Sequence, residues 1–325
     1  MTLLLASLLL ASTTLTPLND LGPRDYAWGY VGGLWDEGSN SIPADHLAAG
    51  MAKASGVVPR DRNGNPAADG KIGFISIGSA NTNLTFEALA ARQNDARVAP
   101  NVVLINAATA IDARRWGGSW DSNYNRVKNQ LLTPAGLTEQ QVQVAWVQLS
   151  TEYPDPPLPI QNADAYMLKG WIAETLRALR ERYPNLAIAY LSSREYGGYA
   201  KTNWNPEPFA YESGLSVRWV LLGQIEFMRT RFMWDNRIGH LDYDRNAPWV
   251  TWGPYLWADG ETPRSDGLTW TAADFNNAGE LLSASGTAKT STQLFDFLMR
   301  EPTAAWFRKA GVVVPQPSRS RAVRR

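Results

Sequence analysis

Four short apolar runs stand out along the chain: KIGFISIG (71–78), NVVLIN (101–106), VQVAWVQL (142–149) and LAIAYLSS (186–193). Each is brief and nearly continuous, as expected of a strand covered on both faces. Between the last two, Met167, Leu168, Trp171, Ile172, Thr175, Leu176 and Leu179 recur at helical spacing, and RYPN ends the run. A closing helix is predicted over SGTAKTSTQLFDFLM. Strands alternating with amphipathic helices predict an α/β fold on a parallel sheet, arranged as three α/β/α layers. Ligands of such sheets bind beyond the carboxyl ends of the strands. The segments after Ile77, Asn106, Leu149 and Ser192 should therefore line one crevice.

Elsewhere the pattern is less regular. YVGGLWDEGSNSIP is rich in turn formers, and RDRNGNPAADG (60–70) reads as a polar loop. From 194 to 270 periodicity falls away and Trp, Tyr, Pro and Gly accumulate, which predicts an aromatic-rich insertion, more often functional than structureless. Neither a repeat nor a composition shift marks a second domain, so residues 21–310 read as one domain.

Composition narrows the picture. The 325 residues are 44% hydrophobic and 19% charged, with 31 basic and 31 acidic side chains. That balance gives no sign of a nucleic-acid or anionic-membrane partner. The basic stretch 311–325 reads as a solvated tail. Near the start, LLLASLLLA (3–11) is far shorter than the roughly 20 residues that span a bilayer. Followed by STT, it fits the apolar part of a secretory signal over residues 1–20, although no Lys or Arg precedes it; a secreted or periplasmic location is expected. The absence of cysteine removes disulfides and thiol catalysis. With neither HExxH nor clustered histidines, no metal or cofactor is expected. The glycine runs GGLWDEGSN and WGGSW do not link a strand to a helix at phosphate-binding spacing.

Several stretches, in order, carry a resemblance: GGLWDEGSN, GKIGFISIGSANT, QVQVAWVQ, YPNLAIAYLSSREYGGYA, NPEPFAYESG, WGPYLWADG with RSDGLTW, and SASGTAK followed by REPTAAWF. Across residues 26–307 the chain resembles the SGNH, or GDSL-like, hydrolases, in particular a bacterial secreted branch. The resemblance implies a flavodoxin-like sheet. It also implies ester hydrolysis by Ser, His and Asp, with an oxyanion hole from a backbone amide, a Gly and an Asn. Laid on the first block, Gly-x-Ser-Asn-Thr, the chain places Gly78, Asn81 and Thr82 in register and puts Ala80 at the nucleophile. Ser79 falls one residue earlier. In the last block Gly279, Ser283, Gly286 and Lys289 match, but Ala278 stands for the Asp and Leu281 for the His. Ala110 or Thr109 takes the place of the oxyanion Gly, and Thr151 that of the Asn.

A serine hydroxyl is a weak nucleophile until an oriented base takes its proton. Alanine offers no hydroxyl and leucine no base, and losing either member of such a pair costs about 10⁶ in turnover. A displaced Ser79 would need a new base, and the chain has two histidines, His46 and His240. Glu207, Glu212, Asp259 and Asp266 form another candidate set, a carboxylate pair of glycosidase type. The favoured expectation is an exported esterase-like protein without the triad. It would bind an acylated or carbohydrate ligand through Ser79, Asn81, Thr82, Arg194, Trp252 and Tyr255, since aromatic rings suit such ligands in a cleft. The alternatives are an active esterase using Ser79, and a structural or partner-binding protein whose crevice is sealed by Ala80, Ala110 and Leu281.

Overall fold

A computed structural model describes residues 15–26 and 29–312. A short hairpin pairs β1 (Asp25–Tyr26) with β2 (Tyr30–Val31). The main sheet holds β3 (Ile72–Gly78), β4 (Val102–Ile105), β5 (Val142–Gln148), β6 (Ile188–Leu191) and β7 (Trp249–Trp252). All its ladders are parallel, in the order β4-β3-β5-β6-β7. Counted within this sheet the order is 2-1-3-4-5, the flavodoxin-like arrangement.

The helices are α1 (Leu18–Leu21), α2 (Ala44–Ser55), α3 (Ala80–Ala90), α4 (Ser122–Arg126), α5 (Asp164–Arg182), α6 (Phe209–Thr230) and α7 (Ala284–Arg300). Successive strand residues point to opposite faces and so divide the core. Phe74, Val144 and Trp146 pack with α3 and α7 through Phe86, Leu89, Leu294 and Leu298. Ile75, Ile77, Ala145 and Val147 pack with α5 and α6 through Leu168, Ile172, Leu176, Val217 and Leu221. Three layers result, and both faces of the sheet are dry, which is why its strands read as unbroken apolar runs.

Two sequence expectations change. The stretch 194–270 is not an irregular insertion: it contributes α6 and the edge strand β7 to the main fold. The domain also begins before residue 21. Leu18 is fully buried and its N–H donates to the Tyr255 hydroxyl (3.2 Å), while the Tyr211 hydroxyl donates to the Thr16 carbonyl (2.9 Å). The apolar run 3–11 and residues 313–325 of the basic tail lie outside the described residues. Among those described, no helix is long and apolar enough to cross a membrane.

Candidate functional site

In this strand order the topological switch point lies between β3 and β5, whose last residues, Gly78 and Gln148, are paired. There β3 turns directly into α3. Ser79 is the extended N-cap residue (φ −95°, ψ −163°) in a capping box with Thr82, whose hydroxyl accepts from the Ser79 N–H at 3.2 Å. The same hydroxyl lies 2.9 Å from the Gln148 carbonyl and 3.0 Å from its side-chain oxygen, as donor. This fold-back explains Gly78: a Cβ there would sit 2.2 Å from Thr82 Oγ1 and 2.3 Å from the Gln148 carbonyl oxygen.

The other strand ends converge on this point. Thr109 N–H donates to the Gly78 carbonyl (3.2 Å) and Ala113 N–H to the Ser150 carbonyl (3.2 Å), drawing the Ala110 segment between β3 and β5. The segment carrying Ala278 and Leu281 is pinned to the start of α3. Asn81 Nδ2 donates to the Glu280 carbonyl (3.1 Å), and Leu282 N–H donates to Asn81 Oδ1 (3.0 Å). Gly279 permits the approach through its positive φ of 75°, because a Cβ there would lie 1.9 Å from the Tyr199 carbonyl oxygen. Ser283 caps α7, and Lys289 holds Asp274 at 2.5 Å. The residues that match the hydrolase pattern thus hold the loops in place, whereas four of the mismatches fall on the rim, where Ala110 is exposed and Ala80, Ala278 and Leu281 are half-buried; the fifth, Thr151, is buried.

Beneath the rim lies a buried polar network. Glu195, fully buried, accepts from Gln148 Nε2 (2.7 Å) and Asn81 Nδ2 (3.2 Å), and its Oε2 is 3.6 Å from Arg194 Nε. Gln148 Nε2 also donates to the Ser193 carbonyl at 3.0 Å. Arg194 is buried, its side chain making one long bond to Ser150 Oγ (3.4 Å), and its Nε has no hydrogen-bond acceptor among the described residues. Thr151 Oγ1 is buried beside the Asp164 carboxyl, without a well-formed hydrogen bond among the described residues. Burial holds the nearby Asp164 carboxyl up to about 6. Sequence reasoning missed Glu195 and Gln148. Their signal was a polar residue closing the apolar VQVAWVQ, and a charged pair directly after LAIAYLSS.

Neither histidine joins this centre. His46 is buried beside the edge strand, stacked on Trp249 (4.8 Å between centroids), with Nε2–H donating to the Val250 carbonyl (2.8 Å). Burial pushes its imidazole below the usual range. Three strand spacings separate β7 from β3, about 14 Å. His240 stacks on Phe227 (4.8 Å) in the last turn of α6. One turn earlier, Gln224 bonds Pro248 and Val250, so His240 lies at the amino end of the sheet, opposite the crevice. Ser79 therefore has no imidazole within reach.

The remaining candidates are held elsewhere. Trp252 is buried on β7, its indole N–H donating to the Leu34 carbonyl (2.6 Å). Tyr255 is buried under Leu18 and borders a separate groove of about 640 Å³ with Arg264, Asp266, Asp296 and Arg300. Both rings serve the core rather than the crevice. Glu207 accepts from Gly197 N–H (2.8 Å), Tyr211 N–H (3.0 Å) and the Trp257 indole (2.7 Å). Glu212 accepts from the Tyr26 hydroxyl (2.9 Å) and Leu158 N–H (3.1 Å), and burial raises its carboxyl to about 7. Burial also raises Glu207 and Asp259, while Asp266 pairs with Arg264 at 2.6 Å. Both glutamates are thus consumed by structural bonds instead of facing each other across a cleft. Among the described residues no cluster of His, Asp or Glu is arranged to hold a metal ion. In comparisons with known proteins, no family model matches the chain, and no curated protein matches it.

Proposed function

We propose that the chain is an exported, SGNH-hydrolase-like protein that holds an acylated or carbohydrate ligand in the switch-point crevice without cleaving it. The observation that carries this reading is a polar floor beneath a rim that lacks a base. Asn81, Gln148, Arg194 and Glu195 are buried and polar, while Ala80, Ala110, Ala278 and Leu281 above them remain at least partly exposed. An apolar plug would have buried those four and left no polar floor, so a purely structural role is the weaker reading. Arg194, a buried guanidinium whose Nε meets Glu195 only at 3.6 Å and whose bond to Ser150 is 3.4 Å long, favours a ligand rich in acceptor oxygens.

Hydrolysis is disfavoured by the same geometry. Ser79 is a helix cap with no imidazole within reach, and the segment standing where a base would enter presents Leu281. The test combines short acyl nitrophenyl esters and fluorophosphonate labelling, with Ser79→Ala as control, and calorimetric titration of acylated and plain oligosaccharides. Binding of an acylated oligosaccharide in excess of its plain counterpart, without turnover and with that excess lost in Arg194→Ala, is the expected result. Turnover and labelling that vanish in the Ser79→Ala control would make the chain an esterase.

A further inference from the structure

Outside the crevice, the outer surface of the α5/α6 layer carries a groove of about 400 Å³, lined by Tyr30, Tyr166, Lys169, Trp219, Glu226 and Trp234 among others. The geometry points to a second ligand site here, one that takes a neutral, flat-faced oligosaccharide. Its volume falls in the range of small-molecule pockets, roughly 300–1,000 Å³. The wall is ordered: Tyr166 and Trp219 stack at 5.3 Å, and the Tyr30 and Tyr166 hydroxyls meet at 2.5 Å. At the mouth Trp234 is 70% exposed, supported edge-on by Phe232 at 5.0 Å. Leaving a tryptophan in water at the mouth of a polar-edged groove costs apolar burial that a stacked ligand would recover.

Charge selects among ligands. A cation is disfavoured because the chain's own Lys169 Nζ already sits 4.9 Å from the Tyr166 ring centre and 5.0 Å from that of Trp219, paired with Asp235 at 2.5 Å. An anionic lipid surface is disfavoured too. Arg229 is committed to Asp45 (2.7 Å) and Arg231 to Asp242 (2.8 Å), and the remaining nearby cation, Arg237, 5.9 Å from the Tyr166 ring centre and bonded to Asn162 (2.7 Å), is offset by Glu226, which lines the groove and forms no ion pair among the described residues. What remains open is an indole face beside a free carboxylate and phenolic oxygens. A pyranose matches both, with an apolar face of C–H groups for the ring and an edge of hydroxyls that donate to the carboxylate.

The test is titration of the full chain with cellohexaose, chitohexaose and xylohexaose, read by calorimetry and by ¹⁹F NMR of fluorotryptophan-labelled protein. At least one sugar should bind and shift the Trp234 resonance. Trp234→Ala and Glu226→Gln, both at the groove surface, should each weaken binding by roughly tenfold or more. Arg194→Ala, in the crevice, should leave it unchanged, which separates this site from the crevice. No binding by any of the three sugars, or equal affinity in Trp234→Ala, overturns the assignment. Binding to phosphatidylglycerol vesicles in place of sugars would make the exposed aromatics a membrane-contacting tip instead.

Discussion

Asn81 and Glu195, 114 positions apart in the chain, meet at 3.2 Å at the switch point, and through them the start of α3 is tied to the loop that follows β6. Glu195 also lies beside Arg194, so it neutralises a buried guanidinium while accepting two amide hydrogen bonds. Removing one partner of a buried pair strands the other charge. Glu195→Ala should therefore lower unfolding free energy by about 3–5 kcal/mol in urea titrations. Glu195→Gln keeps the shape and should lose less. If Glu195→Ala unfolds at the wild-type midpoint, the network contributes no stability.

Ser79→Ala gives the opposite pattern from that of a catalytic serine. The Ser79 N–H bond to Thr82 survives the change, so loss of the hydroxyl should cost about 0.5 kcal/mol of stability, the low end for an N-cap residue. Ester turnover should not change, since the hydroxyl has no base. Measuring both in one preparation separates the two roles.

Gly78→Ala should be more damaging than its single added methyl suggests. The new Cβ would lie 2.2 Å from Thr82 Oγ1 and 2.3 Å from a backbone oxygen of β5, so either the cap or the ladder must give way. A loss of about 1–3 kcal/mol is expected by thermal or chemical unfolding. Thr82→Ser, which keeps the hydroxyl, should be tolerated.

The strands were legible because both faces of the sheet are covered, and the four expected runs agree with β3 to β6 to within two residues. α6 was not legible. Ser213, Gly214, Ser216 and Gln224 are buried along with Leu215, Val217 and Leu221, so the helix shows no apolar stripe against a polar one. β7 is four residues long and begins and ends in Trp, which periodicity cannot tell from an aromatic loop. Trp252 and Tyr255 read as ligand contacts for the same reason: sequence reveals ring content but not that Leu18 and Leu34 cover them. In the crevice, Gly78, Asn81 and Thr82 stood out only through the family resemblance; their steric and hydrogen-bonding roles at the start of α3 depend on Gln148, Glu195 and Glu280, far along the chain. Glu195 was not, because its partners are distant in the chain.

Buried carboxyls set the pH dependence of stability. Glu212 is raised to about 7 and Asp164 to about 6, both chiefly by burial. In the unfolded chain these groups ionise near pH 4, while in the folded protein they retain their protons to higher pH. Their contribution is therefore fully present below about pH 4 and is lost as pH rises through 6 and 7. Each group contributes a slope of at most about 1.4 kcal/mol per pH unit in that window. Glu212→Gln keeps an oxygen for Tyr26 and Leu158 but cannot ionise. Urea midpoints between pH 5 and 8 should decline less steeply in this variant. Parallel declines would assign the pH dependence to other groups.

A gain-of-function variant tests the alignment itself. If Ala80, Ala278 and Leu281 stand where a nucleophile, an acid and a base belong, then Ala80→Ser, Ala278→Asp and Leu281→His together should restore what Ser79 cannot supply. All three positions are at least partly exposed, and Asn81 fixes the last segment against the helix that begins at Ala80, so the new side chains need not displace buried neighbours. The triple variant should react with a fluorophosphonate at the introduced serine, and each single reversion should abolish the reaction. Turnover should stay modest, because Ala110 and Thr151 do not rebuild the oxyanion side chain, whose loss alone costs about 10²–10³. A folded triple variant that resists labelling would mean that the blocks are misaligned, and with them the family resemblance on which the crevice reading rests.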